Sequence, residues 1–140
     1  MKETLQPGIG FEHSFTLTEA KMVPALYPEA PEFLEMPEVF ATGFMVGFLE
    51  WACLKSVIPH LDWPNEQTVG THVNVSHLAA SPSGLTVTAK VKLVGVDGRR
   101  LKFEVEGDDG VEIISRGTHE RFIIDKAKFD ASIDKKRIKD

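Results

Sequence analysis

Cysteine is almost missing from this chain. Cys53 stands alone among 140 residues, so no disulfide can form within the chain, and the expected compartment is a reducing one, the cytoplasm. Basic charge is also short: sixteen Lys and Arg face twenty-one Asp and Glu, for a net charge of −5. No basic stripe precedes the last few residues. That argues against a nucleic-acid partner while leaving room for a local phosphate site. No apolar run reaches the roughly 20 residues that a membrane-spanning helix needs, because the longest one is interrupted by Glu50 and ends at Lys55. No membrane association is expected. The opening "MKETLQPGIG" has no apolar h-region, so no secretory signal is expected either. Metal-ligand spacing, a Gly-rich phosphate loop, a nucleotide fingerprint and internal repeats are all missing.

What remains is an ordinary globular composition, 42% hydrophobic and 26% charged, with no linker to divide it. A single domain over residues 1–140 is expected, with a polar tail from about residue 126 that forms a short surface helix or frays. "FEHSFTLT" (Phe11–Thr18) alternates and reads as a first strand. Pro24, Pro28, Pro31 and Pro37 punctuate the acidic stretch that follows, so a long ordered loop or lid is expected there, not a regular element. "EVFATGFMVGFLEWACLKSV" (Glu38–Val57) then reads as a helix apolar on every side, stopped by Pro59.

From Thr68 the period changes to two. Four strand-length runs, at 68–80, 85–96, 100–108 and 111–124, are separated by "SPSG", "DG" and "DG". In the middle hairpin, a loop of Val96, Asp97 and Gly98 with Gly98 left-handed would match the apolar faces. It would pair Leu93 with Leu101, Val91 with Phe103 and Lys90 with Glu104. The order strand, loop, buried helix, four strands is α+β. A single curved sheet cannot close over an all-apolar helix, and a second copy is the simplest way to finish the cover. A homodimer is therefore expected.

The chemistry-bearing residues follow from periodicity. Gly43, Gly47 and Glu50 share one helix face. Each interior glycine costs about 1 kcal/mol relative to Ala, so either another backbone approaches closely or a ligand lies along a groove leading to Glu50. A carboxylate in apolar surroundings must be paired or have a raised pKa, which makes Glu50 a functional candidate. In "THVNVSHLA", Val73, Val75 and His77 share the helix-facing side, and His72, Asn74 and Ser76 the other. His77 is thus the second candidate, against the alternative of a hydrogen-bonded core histidine. Thr42 lies near the helix start, where Thr often caps N–H groups. Thr42 and Glu50 are about 12 Å apart along a helix, so within one chain they flank a substrate, or they meet across a dimer. "RGTHERF" adds His119 and Arg121, the latter as a phosphate or carboxylate anchor. Cys53 reads as core, not nucleophile.

The segments "YPEAPEFLEMPEVFATGFMVGFLEWAC", "GTHVNVSHLAASPSGLTVT", "GRRL" and "GTHERF" strongly resemble the family of fluoroacetyl-CoA thioesterases, from about Tyr27 to Phe129. The resemblance implies a hotdog fold, a long helix wrapped by a curved antiparallel sheet and working as a dimer. It implies hydrolysis of a short-chain acyl-CoA thioester, without metal or redox cofactor, coenzyme A entering only as part of the substrate. By resemblance the catalytic residues fall on Thr42, Glu50 and His77. The substrate-binding positions fall on Phe33, Met36, Gly43, Gly70 and Arg121. Met36 stands where the fluoroacetyl-selective member carries the second of two lid phenylalanines, so the resemblance carries thioester hydrolysis and not fluoroacetyl selectivity. Two rival readings are a non-catalytic protein that binds acyl-CoA or a small acid, and a hotdog hydratase or dehydratase of acyl thioesters.

Overall fold

The computed structural model describes residues 1–137. Strand β1 (Gly10–Thr16) is followed by single 3-10 turns at Glu19–Lys21 and Val23–Ala25 and by the one-turn helix α1 (Pro31–Leu34). The long helix α2 (Thr42–Val57) comes next, and then β2 (Glu66–His77), β3 (Thr86–Asp97), β4 (Arg100–Asp108), β5 (Ile113–Asp125) and the terminal helix α3 (Lys126–Asp134). The strands form one antiparallel sheet in the order β1-β3-β4-β5-β2. The architecture is α+β, a long helix against a five-stranded antiparallel sheet, which is the hotdog arrangement. No helix among the described residues is long and apolar enough to cross a membrane.

Helix α2 buries Met45, Phe48, Leu49, Ala52, Cys53, Ser56 and Val57. Those side chains meet the inward row of β3 (Val87, Ala89, Val91, Leu93) and of β4 (Leu101, Phe103, Val105) in one core. Burying each such large side chain contributes roughly 1.5–3 kcal/mol, so this helix–sheet face dominates the stability of the fold. On the opposite side of α2, Gly43, Gly47 and Trp51 are exposed. The helix stops where Pro59 cannot continue the ladder, and the chain tightens into a 3-10 turn at Ile58–His60.

Two expectations need correction. The proline-rich segment holds three single helical turns, because Pro24 and Pro31 fall in first turns, where a missing N–H is harmless. The β3–β4 hairpin closes with the two-residue loop Gly98-Arg99, since Asp97 pairs with Arg100. Leu93 therefore faces Phe103, Val91 faces Val105 and Lys90 faces Glu106. A register shift between Leu93 and Gly95 inserts one unpaired residue and restores the parity that the short loop would otherwise break. Gly98 is left-handed as expected, with φ of 59°.

A second register shift, between Gly70 and His72, has more consequence for function. It sets Gly70 opposite Arg121, Val73 opposite His119, Val75 opposite Gly117 and His77 opposite Ser115. The extra residue lets Gly70 and Val73, three apart, share the inward side. At the Val75–Gly117 step the two strands approach so closely that a Cβ on Gly117 would stand 2.0 Å from the Asn74 carbonyl oxygen. Backbone cannot yield there as a flexible side chain would. Gly117→Ala should lower the melting temperature by about 5–10 °C, whereas Gly47→Ala, where the added Cβ meets nothing within 4 Å, should not. Thermal denaturation followed by circular dichroism checks both.

Candidate active site

Helix α2 begins without a side-chain cap. Ala41 is the N-cap residue and Thr42 the first helical residue, so the Thr42 hydroxyl is not spent on the helix end. It lies 2.8 Å from His77 Nδ1. The pair borders a cleft of about 430 Å³ lined by Val23, Val39, Phe40, Leu78 and Ala79. His77 Nε2 is buried and has no partner among the described residues. Burial pushes the imidazole below its ordinary pKa, an effect that the Ala79 backbone partly offsets. A neutral imidazole beside a hydroxyl can accept or return a proton, as a general base or acid requires.

The helix start is pinned from two sides. Phe40 N–H donates to the Ser81 carbonyl at 2.8 Å and Ala41 N–H to the Lys21 carbonyl at 3.0 Å. Ser81, fully buried, donates its hydroxyl to Asp109 Oδ2 at 2.7 Å. The other Asp109 oxygen accepts the backbone N–H of Val111 and Glu112, both at 2.9 Å. Burial alone would raise the Asp109 pKa, but these hydrogen bonds hold it below the ordinary aspartate value. The clasp ties the β4–β5 turn to the segment that carries Thr42.

Glu50, eight residues further along α2, belongs to a different cluster. Its Oε1 accepts from Arg121 Nη1 at 2.9 Å. Arg121, buried on β5, also donates Nε to Thr68 Oγ1 at 2.8 Å and Nη2 to the Thr68 carbonyl at 2.9 Å. His119 lies beside it with Nε2 3.0 Å from Arg121 Nη1. Gly70 closes the cluster: a Cβ there would stand 2.6 Å from Glu50 Oε1 and 3.3 Å from His119 Cε1. The Glu50 side chain is still 36% accessible, so the carboxylate is held at one oxygen and open at its other side.

One chain thus joins Thr42 to His77 and Glu50 to Arg121, and it leaves the two pairs about 12 Å apart along the helix. The spare space beside the helix glycines is divided too. Gly43 faces Leu26, while Gly47 borders a separate apolar groove of about 630 Å³ with Phe15, Phe44, Phe48 and Trp51. The expected groove leading to Glu50 is not what Gly47 lines. Phe33 stacks on Tyr27 with ring centroids 6.1 Å apart, and Met36 is exposed on the same segment. Burial pushes the Cys53 thiol up to about 12 against the opposing charge of Arg121, which removes it as a nucleophile. Arg121, expected as an anchor for a substrate phosphate or carboxylate, holds the chain's own Glu50. Thr68 and the Ser81–Asp109 clasp were missed. Their side chains meet partners 53 and 28 residues away, a separation no local pattern reveals.

The description of the family whose model matches residues 27–127 is "Fluoroacetyl-CoA-specific thioesterase". A curated relative, the fluoroacetyl-CoA thioesterase of Streptantibioticus cattleyicolor, is 50% identical over 136 residues, covering 97% of each chain. A solved structure of a fluoroacetyl-CoA thioesterase is 48% identical with a TM-score of 0.94, covering 97% of this chain and 100% of that one. A Thermus thermophilus member of the thioesterase superfamily is 25% identical with a TM-score of 0.82, covering 95% of this chain and 93% of its own.

The tight seat of Glu50 over Gly70 gives an expected outcome. Gly70→Ala must displace the carboxylate that lies 2.6 Å from the new Cβ. Thioester turnover should fall on the order of 100-fold, the scale of a misplaced reacting group. Because the displaced atom is a side-chain tip and Gly70 is exposed, the melting temperature should move little.

Proposed function

The chain belongs to the family of fluoroacetyl-CoA-specific thioesterases, and from that premise we propose that it hydrolyses a short-chain acyl-CoA thioester with Glu50, His77 and Thr42. It is an acyl-CoA thioesterase; the proposal concerns the residues and the substrate range. The observation that carries it is the Glu50 carboxylate on an otherwise apolar helix, clamped at Oε1 by Arg121 and open at its other side.

Thioester cleavage needs an activated attacking group and stabilisation of the developing oxyanion. Glu50 supplies the carboxylate that attacks the acyl carbon or draws the proton from the attacking water. In either route one water is consumed, and His77, neutral at the outset, relays the proton which that water gives up to the thiolate of coenzyme A; Thr42 accepts from the imidazole and donates its own proton to developing charge. The uncapped first turn of α2 presents backbone N–H groups beside Thr42, a natural oxyanion site. The chemistry draws only on these carboxylate, imidazole, hydroxyl and amide groups, so no metal or redox cofactor enters it. Coenzyme A arrives and leaves with the substrate. The lone buried Cys53 suits a reducing compartment, the cytoplasm.

A homodimer accounts for the two clusters. Strand β2 is a twelve-residue sheet edge with Val73 44% exposed. Such an edge invites another strand. Antiparallel pairing with a second copy, centred between Val73 and Asn74, would set His77 of one chain across from Gly70 of the second copy. That pairing would bring a Thr42–His77 pair toward a Glu50–Arg121 pair.

Two experiments test the reading. In a thiol-release assay over acetyl-, fluoroacetyl-, propionyl- and longer acyl-CoAs, turnover should favour short acyl groups, and Glu50→Gln should abolish it with the fold intact. Near-normal rates in that variant would remove Glu50 from catalysis. Binding without thiol release would support the binding-protein reading, and altered acyl groups with CoA retained would support the hydratase reading. For the dimer, Val73→Lys places two like charges beside the twofold axis. The mass by light scattering should halve and turnover should fall with it; an active monomer would refute the shared site.

A further inference from the structure

We propose that His119 is a positioning residue for the reacting carboxylate, locked in one tautomer by His72 and fixing through Nε2 the Arg121 guanidinium that holds Glu50. The proposal rests on the reading that Glu50 is the reacting group.

Two contacts select the same tautomer. His119 Nδ1 lies 2.8 Å from the His72 carbonyl oxygen, which can only accept, so Nδ1 carries the proton. Nε2 lies 3.0 Å from Arg121 Nη1, which can only donate, so Nε2 presents its lone pair. His119 does not itself bind the carboxylate, since its Nε2 is 3.8 Å from Glu50 Oε1, beyond hydrogen-bond range. Its influence passes through Arg121. Thr68 holds Nε and Nη2 of the guanidinium, while His119 and Glu50 share the Nη1 corner. Without an acceptor at Nε2, nothing among the described residues fixes that corner except the carboxylate it is meant to orient.

The surroundings favour the neutral imidazole. His119 is 2% exposed. It is faced by Arg121 from its own strand, by Glu50 from α2 and by His72 from β2, while its β4 partner is the apolar Phe103. Burial lowers its pKa from the ordinary 6.5, and the Arg121 charge adds to that against the opposing effects of the His72 hydrogen bond and of Glu50. Protonation would turn the acceptor into a donor aimed at another donor, with two cations in contact. Release of Arg121 should therefore begin at a pH below the ordinary imidazole range and contribute to the acid limb of turnover.

The test uses two isosteric substitutions with acetyl-CoA as substrate, kcat and KM being followed from pH 5 to 8 beside Glu50→Gln. His119→Gln keeps an acceptor near the Nε2 position and does not titrate. His119→Asn keeps a donor for the His72 carbonyl and loses the acceptor. His119→Asn should lower kcat by about 10–100-fold with KM little changed. His119→Gln should stay within a few-fold of the parent and shift its acid limb to lower pH. Equal losses in both variants mean that the ring only fills space, and overturn the proposal, as does an acid limb that His119→Gln leaves in place. If Glu50→Gln is inactive while both His119 variants match the parent, the positioning role fails and the reading of Glu50 stands. If Glu50→Gln retains turnover, both fall.

Discussion

A carboxylate on a helix that buries Met45, Leu49 and Ala52 persists only if something offsets its loss of water. Here that something is the Arg121 guanidinium, 2.9 Å away and itself buried. The rest of the site is arranged to make this one ion pair possible. Thr68 takes two of the arginine's donors, and His119 takes a share of a third. Gly70 leaves the volume that the Glu50 oxygen occupies. The register shift between Gly70 and His72 aligns Gly70 with Arg121 and Val73 with His119 on one side of the sheet. Pairing at one oxygen leaves the other side of the carboxylate accessible, which is what a reacting group needs.

The opposite end of α2 is built on another principle. Thr42 is useful because it does not cap: Ala41 ends the extended segment, and the first turn is left without a side-chain acceptor. That omission costs the helix about 1 kcal/mol relative to a good cap. The Ser81–Asp109 clasp and the backbone bond from Phe40 to Ser81 hold the helix start in its place. The Thr42 hydroxyl is thereby free to meet His77, and the first N–H groups are free to face a developing oxyanion. One helix thus carries both halves of the proposed site, its carboxylate held by Arg121 and its first turn uncapped.

Much of this was legible in the residues. Strand parity put His77 on the helix-facing side, helix periodicity singled out Glu50, and the change to period two at Thr68 marked the four strands. What was hidden depends on pairing at long range. The β3–β4 loop is shorter than face-matching alone requires, because an unpaired residue after Leu93 repairs the parity from within the strand. No local pattern signals such a repair. Arg121 read as an anchor for a substrate anion, and its contacts with Glu50 and Thr68, 71 and 53 residues away, leave no local trace. His119 was visible but had no role, since its tautomer is set by a carbonyl 47 residues away. Thr42 read equally well as a cap, and only the Ala41 backbone distinguishes the two.

The glycines show how function and stability compete in this sheet. Gly70 and Gly117 both sit inside strands, where glycine packs poorly and loses the most backbone entropy on folding. At Gly117 the return is structural, because β2 and β5 approach too closely at Asn74 for any side chain. At Gly70 the nearest obstructing atom is Glu50 Oε1, with His119 Cε1 and Arg121 Nη1 of β5 close behind at 3.3 and 3.4 Å, so a larger residue would be opposed by side chains and not by backbone. The two positions lie on paired strands on the same inward side, yet one is crowded by backbone and the other by the side chains of the Glu50 cluster. Gly47 differs from both, since no neighbour among the described residues occupies its space. The groove it borders, with Phe15, Phe44, Phe48 and Trp51, lies apart from the Glu50–Arg121 cluster, so the open space beside the helix and the open side of the carboxylate are separate features of α2.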